Sequence, residues 1–194
     1  MAEHQYSYGD LANALKNYSR AREYCSTAPQ AVENCLAIIR ISHEINNMTH
    51  IASQIVKAQS TPNAQNDPPT MAKLQASLSI TKLESGKFRQ VAQILTELDF
   101  EALATAKYDN VVLASDVALY GGLCALATFD RRELKTKVLD SPNFRQYLEL
   151  EPQIRELAST FYHAKYDQCM ELLESWRVSL CTGASVCLYT TLTT

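Results

Sequence analysis

The chain has 194 residues, 46% hydrophobic and 20% charged, enough apolar material for one domain or one piece of a repeat array. Its formal net charge of −3 gives no general pull toward nucleic acid or an anionic membrane. No stretch is long and apolar enough for a transmembrane helix and no basic-then-apolar leader opens the chain, so a soluble, intracellular protein is expected.

Only five glycines occur, well under the usual ~7%, while Ala, Leu, Glu, Lys and Gln abound. This composition predicts an all-α chain. In chain order, Leu11, Ala14, Leu15, Tyr18, Ala21, Arg22 and Cys25 share one broad helical face. Residues 31–45 repeat the period with Val32, Cys35, Leu36, Ile38, Ile39 and Ile45. Residues 49–59 form a shorter piece with Ile51, Ile55 and Val56. The stretch 60–69, STPNAQNDPP, reads as a loop. Helical period resumes at Thr70 with Met71, Leu74, Leu78 and Ile80, and Gly86 can end that helix as its C′ residue. Further helices are predicted over 88–97, 114–129, 131–139, 152–163 and 166–176, with helix starts at Ser141-Pro142 and Glu151-Pro152. No strand is predicted before residue 178. Cys25, Cys35, Cys124, Cys169, Cys181 and Cys187 form no C-x-x-C pair, and most read as small buried hydrophobes in a reducing compartment.

An internal repeat selects a stack of hairpins over a closed bundle. After a turn come four apolar positions at fixed spacing. The sets are Leu11, Ala14, Tyr18, Ala21; Met48, Ile51, Ile55, Ala58; Phe88, Val91, Leu95, Leu98; and Tyr166, Cys169, Leu173, Trp176. Their last members lie 37, 40 and 78 residues apart, the last gap being two periods. The predicted architecture is a right-handed stack of antiparallel helical hairpins over 1–177, looser than the tetratricopeptide period of about 34.

The stretch YGGLCALATFDRREL, residues 120–134, raises a specific choice. A phosphate cradle needs a strand before its glycines, and usually a third glycine or a following Lys-Ser/Thr. Tyr120, Gly121, Gly122 and Leu123 instead continue a helical run, so the two glycines are expected where a neighbouring helix packs very close. Phe129 ends the run. Asp130 and Glu133 stand at the spacing of a capping box for the next helix.

Those residues, followed by FRQYLELEPQIRELASTFYHAKYDQCMELLE and preceded by GDLANALKNYSRAREYC, resemble the COP9 signalosome subunit 1 family over roughly residues 3–177. That family is related to a helical-repeat subunit of the proteasome lid. The resemblance implies tetratricopeptide-like repeats followed by a winged-helix assembly module, the PCI domain. It implies a non-catalytic scaffold in the complex that removes the ubiquitin-like modifier Nedd-eight from cullin-RING ligases, the catalytic zinc lying in another subunit. Sister subunits are the implied partners and cullin-RING ligases candidate ones, in cytoplasm and nucleus. The uncharged, Thr-rich stretch 178–194 departs from the family and is expected to be poorly ordered. The chain is expected to be a middle fragment lacking the PCI module.

Catalytic, cofactor and metal sites are not expected. His43 and His50 lack further ligands at suitable spacing, and neither H-E-x-x-H nor H-x-H with a later Asp occurs. The pairs Asp99/Glu101 and Glu149/Glu151 read as solvated carboxylates, and no Ser or Cys nucleophile is matched with a base. Candidate protein contacts are Tyr6 and Tyr8, in a tyrosine cluster with Tyr18 and Tyr24, and the adjacent Arg131 and Arg132. For the tyrosines, packing between repeats is the alternative; for the arginines, a solvated first turn. An unrelated all-helical enzyme or ligand-binding module is the alternative for the whole chain.

Overall fold

In the computed structural model, the described residues are 2–25, 27–61, 67–106 and 111–175. They are helical, with no strand among them. The helices are α1 (Ala2–Ser7), α2 (Leu11–Ala21), α3 (Ala28–Glu44), α4 (Met48–Gln59), α5 (Pro68–Glu84), α6 (Phe88–Glu97) and α7 (Phe100–Ala106). There follow α8 (Ala114–Thr128), the short α9 (Arg131–Leu134), α10 (Pro142–Leu150), α11 (Pro152–Tyr162) and α12 (Tyr166–Ser175). The expectation for 178–194 and the repeat position at Trp176 lie outside the described residues.

The sequence repeat has a backbone counterpart. Among the described residues, φ is positive at Gly9 (+80°), Asn46 (+60°), Gly86 (+69°) and Ala164 (+59°). At each, that residue's N–H donates to the carbonyl three back, and the next N–H to the carbonyl five behind it. The pairs are Gly9–Tyr6 with Asp10–Gln5, Asn46–His43 with Asn47–Ser42, Gly86–Leu83 with Lys87–Lys82, and Ala164–Phe161 with Lys165–Thr160, all at 2.9–3.0 Å. This is the Schellman closure, which satisfies the last carbonyls of one helix and reverses the chain. The next helix begins two residues after the left-handed residue, at Leu11, Met48, Phe88 and Tyr166. These are the first members of the four repeat sets. The second members, Ala14, Ile51, Val91 and Cys169, are 0%, 0%, 0% and 6% exposed. Within the gap of two periods, Phe129 and Asp130 pass from α8 to α9 in extended backbone instead of through a left-handed residue.

Two compact units divide between Thr81 and Lys82, within α5. In the first, α1 pairs with α2 and α3 with α4. Cys35, Ile39, Ile51, Ile55, Ala58 and Leu74 form its core. Asp10 and Asn47 cap α2 and α4, accepting from the N–H of Asn13 and His50 at 3.3 and 3.2 Å. The Tyr6 hydroxyl donates to Glu44, and the Arg40 guanidinium lies 4.3 Å from the Tyr6 ring, which ties α1 to α3. In the second unit α8 lies at the centre, packed by α6, α7, α10 and α11. The largest buried side chains there include Tyr147, Phe144, Leu98, Leu123 and Leu134.

Several elements differ from the sequence reading. Helices α1 and α7, of 6 and 7 residues, were not predicted. α5 starts at Pro68 rather than Thr70; Leu74 is in the core with Met71 and Leu78 packed against it, but the buried face is wider than the apolar pattern indicates. Met71, Leu78 and Ile80 are only half-buried, whereas Ser77, Ser79 and Thr81 are buried. Their hydroxyls donate to carbonyls of their own helix, Ser77 to Lys73 at 2.9 Å and Thr81 to Leu78 at 2.7 Å. A hydroxyl satisfied in this way can be buried at little cost. The predicted helix 131–139 is α-helical only to Leu134 and continues as a π-turn over Lys135–Leu139.

Candidate functional site

The residues of the 120–134 stretch are taken up by packing. α8 has Val117, Ala118 and every residue from Gly121 to Leu126 buried. A Cβ on Gly121 would come within 2.9 Å of Phe144 Cε2 and 3.2 Å of Leu95 Cβ. A Cβ on Gly122 would run into Ile154 Cγ2 far inside van der Waals contact. The glycine pair thus lets α6, α10 and α11 close on one helix from several sides. Tyr120 is half-buried, Leu123 fully buried and Phe129 nearly so.

At the α8–α9 junction, the Asp130 N–H donates to Glu133 Oε2 at 3.3 Å, one arm of the anticipated capping box. The same carboxylate is held by Arg89, whose Nη2 donates to Oε1 and Oε2 at 3.1 and 3.0 Å. Arg89 Nη1 donates to the Thr128 carbonyl at 2.9 Å, closing the C-terminus of α8. Arg89, from α6, was missed by sequence reading, and nothing local to it marks this role. Arg131 donates to the Tyr162 carbonyl and stacks 5.2 Å from that ring. It is exposed, as a solvated first turn requires, while making this contact with α11. Arg132 is exposed. Tyr6 is held by Glu44, a hydrogen bond that raises its pKa. Tyr8 and Tyr24 are 77% and 84% exposed.

The chemistry available is sparse. Burial pushes the Cys124 thiol up to about 12 and raises those of Cys35 and Cys169, so none is a ready nucleophile. Ser42 Oγ lies 2.8 Å from His50 Nδ1, a pairing not foreseen from sequence. Ser42 is 0% exposed, however, and no substrate could reach it. Its hydroxyl and the Gln54 amide, 3.3 Å from Nε2, orient the imidazole across the α3–α4 turn. Burial and the Lys57 charge lower the pKa of His50. Among the described residues, no group of three or more His, Cys, Asp or Glu gathers to hold a metal. Nor is any helix there long and apolar enough to cross a membrane.

One concave feature lies in the second unit, between α8, α11 and α12. It is a cavity of about 110 Å³ walled by Leu126, Leu157, Phe161, Cys169, Met170 and Leu173. Tyr166 stands at its edge, its ring 5.9 Å from that of Phe161 in an edge-on contact. Tyr166 and Met170 are 56% and 39% exposed.

Comparison with known proteins supplies the family. The family described as 26S proteasome subunit RPN7 matches residues 1–137. COP9 signalosome complex subunit 1b of Drosophila melanogaster is 40% identical over 185 residues, 93% of this chain and 35% of that protein. COP9 signalosome complex subunit 1 of Arabidopsis thaliana is 41% identical over 175 residues, 90% of this chain and 39% of its own length. 26S proteasome regulatory subunit RPN7 of Saccharomyces cerevisiae is 21% identical over 159 residues. The chain thus spans 35–39% of the length of the two signalosome relatives it matches. The chain belongs to the family that the COP9 signalosome subunit 1 proteins share with proteasome subunit RPN7.

Proposed function

We propose that the protein is a non-catalytic scaffold that assembles with other subunits of the COP9 signalosome. In that role it supports the removal of a ubiquitin-like modifier from cullin-RING ligases. The carrying observation is the continuous match to signalosome subunit 1 over at least 90% of this chain in two relatives. Absorption of the distinctive 120–134 stretch into helix packing supports the same reading, as does the burial of Cys35, Cys124 and Cys169. The repeated Schellman turns support helical hairpins of the tetratricopeptide-like kind. Sister subunits are the partners in this reading, cullin-RING ligases a second candidate, and cytoplasm and nucleus the place of action.

The test is affinity capture of the tagged chain from cell extract, with co-purifying proteins identified by mass spectrometry. Signalosome subunits in stoichiometric amounts are expected. Chaperones alone would refute assembly by this chain.

A further inference from the structure

We propose that Arg89 and Arg131 act in series as a clasp that joins three chain junctions of the second unit, α5–α6, α8–α9 and α11–α12. With the clasp closed, the helices from α6 to α12 open together instead of one hairpin at a time. The proposal goes beyond the scaffold reading and does not rest on it.

Each link closes a helix end that the backbone leaves open. α8 ends in extended backbone at Phe129 and Asp130, with no left-handed residue to bond its last carbonyls. Arg89, in the first turn of α6 just after the Gly86 turn, supplies the missing donor. Its Nη1 bonds the Thr128 carbonyl at 2.9 Å, and its Nη2 holds both oxygens of Glu133 at 3.1 and 3.0 Å. One guanidinium therefore grips the end of α8 and the start of α9 at once. At the end of α11, the turn at Ala164 bonds the carbonyls of Ser159, Thr160 and Phe161. The Tyr162 carbonyl is the next one along. Arg131 donates to it while its guanidinium lies 5.2 Å from the Tyr162 ring. Both arginines thus also face the negative end of a helix dipole.

α9 is the pivot between the links. It is α-helical for four residues before the π-turn, too short to stand alone. Leu134 and Val138, both fully buried, anchor this segment to the core. It is also tied to α6 at two points, Glu133 to Arg89 at 3.0 Å and Lys137 to Glu97 at 3.1 Å. Glu133 receives the first link, and Arg131, two residues earlier, makes the second. α11 cannot part from α9 without breaking the Arg131 link, and α9 cannot leave α6 without breaking the Arg89 link. An isolated surface ion pair contributes little. These links add bonds to helix-end carbonyls 39 and 31 residues away, and they meet on one short helix. That sets this unit apart from a helical array whose repeats contribute separately.

The test is native-state amide hydrogen exchange on the full 194-residue chain, read peptide by peptide by mass spectrometry. Arg89→Ala is expected to speed exchange at least about five-fold in α8 and α9, and also in α11 and α12, to which Arg89 makes no hydrogen bond or ion pair. Arg131→Ala is expected to act in the other direction, speeding exchange in α6 as well as in α11. Arg89→Lys keeps the charge but offers one nitrogen in place of two, so it should resemble Arg89→Ala. Arg132→Ala removes an exposed neighbouring cation whose side chain makes no ion pair or hydrogen bond among the described residues, and it should leave the pattern unchanged. The Arg89 side chain is 52% exposed, so its variants should keep their helical circular dichroism. α3 and α4, in the first unit, are the reference and should exchange at the parent's rates. Faster exchange confined to α8 and α9 in Arg89→Ala would overturn the proposal, since the two links would then act separately. Equal acceleration in α3 and α4 would overturn it too, as the arginine would then be a general stabiliser. So would an Arg89→Lys pattern identical to the parent's.

Discussion

Replacing Gly122 by alanine should destabilise the protein, the opposite of what helix propensity dictates. At an exposed helical position, Gly→Ala contributes about 0.8–1 kcal/mol of stability. At Gly122 the new methyl would overlap Ile154 Cγ2, a branch on the β-carbon of a side chain 1% exposed. That atom cannot swing aside as a flexible chain end could, so α8 and α11 must part. Overpacking of this kind costs about 1–3 kcal/mol, and an overlap this deep belongs at the upper end. A net loss of about 1–2 kcal/mol remains once propensity is offset. Urea unfolding followed by far-UV circular dichroism should show a lower midpoint with an unchanged slope. Ile154→Ala removes Cγ2 and is destabilising alone, by about 2–5 kcal/mol. In the double variant the two methyls no longer compete, so its loss should fall short of the sum of the single losses by about 1 kcal/mol or more. A Gly122→Ala midpoint above the parent's would refute the close-approach account of the glycine pair.

The left-handed turn positions make a second prediction. Ala164 holds φ +59°, where a Cβ costs about 1–2 kcal/mol, so Ala164→Gly should raise stability by about 1 kcal/mol, and Gly86→Ala should lower it similarly. Thermal melts that move the other way would contradict the turn assignment. The Tyr147 hydroxyl is buried with no hydrogen-bond partner among the described residues, and burial with the nearby Asp99 charge raises its pKa. Tyr147→Phe should therefore leave stability unchanged or raise it by about 1 kcal/mol, and a loss above 1 kcal/mol would reveal a bonded hydroxyl. His50, whose folded pKa lies below 6.5, is favoured neutral in the fold. Its contribution is fully present above pH 6.5 and is lost as pH falls through the lower folded value. His50→Gln should flatten the decline of the urea midpoint between pH 7.5 and pH 5, and an identical decline would show that other groups set it.

Four helices were legible from sequence because each carries one apolar row behind a turn residue: α2, α4, α6 and α12. Their first positions read from the chain coincide with their first helical residues. α1 and α7 escaped because fewer than two turns cannot establish a period. The buried side of α5 was obscured by Ser77, Ser79 and Thr81, residues that count as polar in a pattern yet satisfy themselves within the helix. The glycine pair could be placed in a helix by the run before it, but which side chains crowd it depends on α10 and α11, more than twenty residues downstream. Arg89 and Glu133 are 44 residues apart and meet only because α6 lies against α8. On α12, sequence put Tyr166, Cys169 and Leu173 on one apolar face; Cys169 and Leu173 are buried, but Tyr166 is 56% exposed.

The repeated turn also decides where this chain can change length. Between the last α-helical residue and the next helix start there is a fixed count of residues, closed by two bonds that span three and five positions. One inserted residue would break that closure and rotate the downstream helix by about 100°, sending its buried row toward water. The connection from α4 to α5 is not one of these four turns, so a change of length there leaves their closures intact. Insertions and deletions among relatives should therefore collect between hairpins and spare the turns at Gly9, Asn46, Gly86 and Ala164.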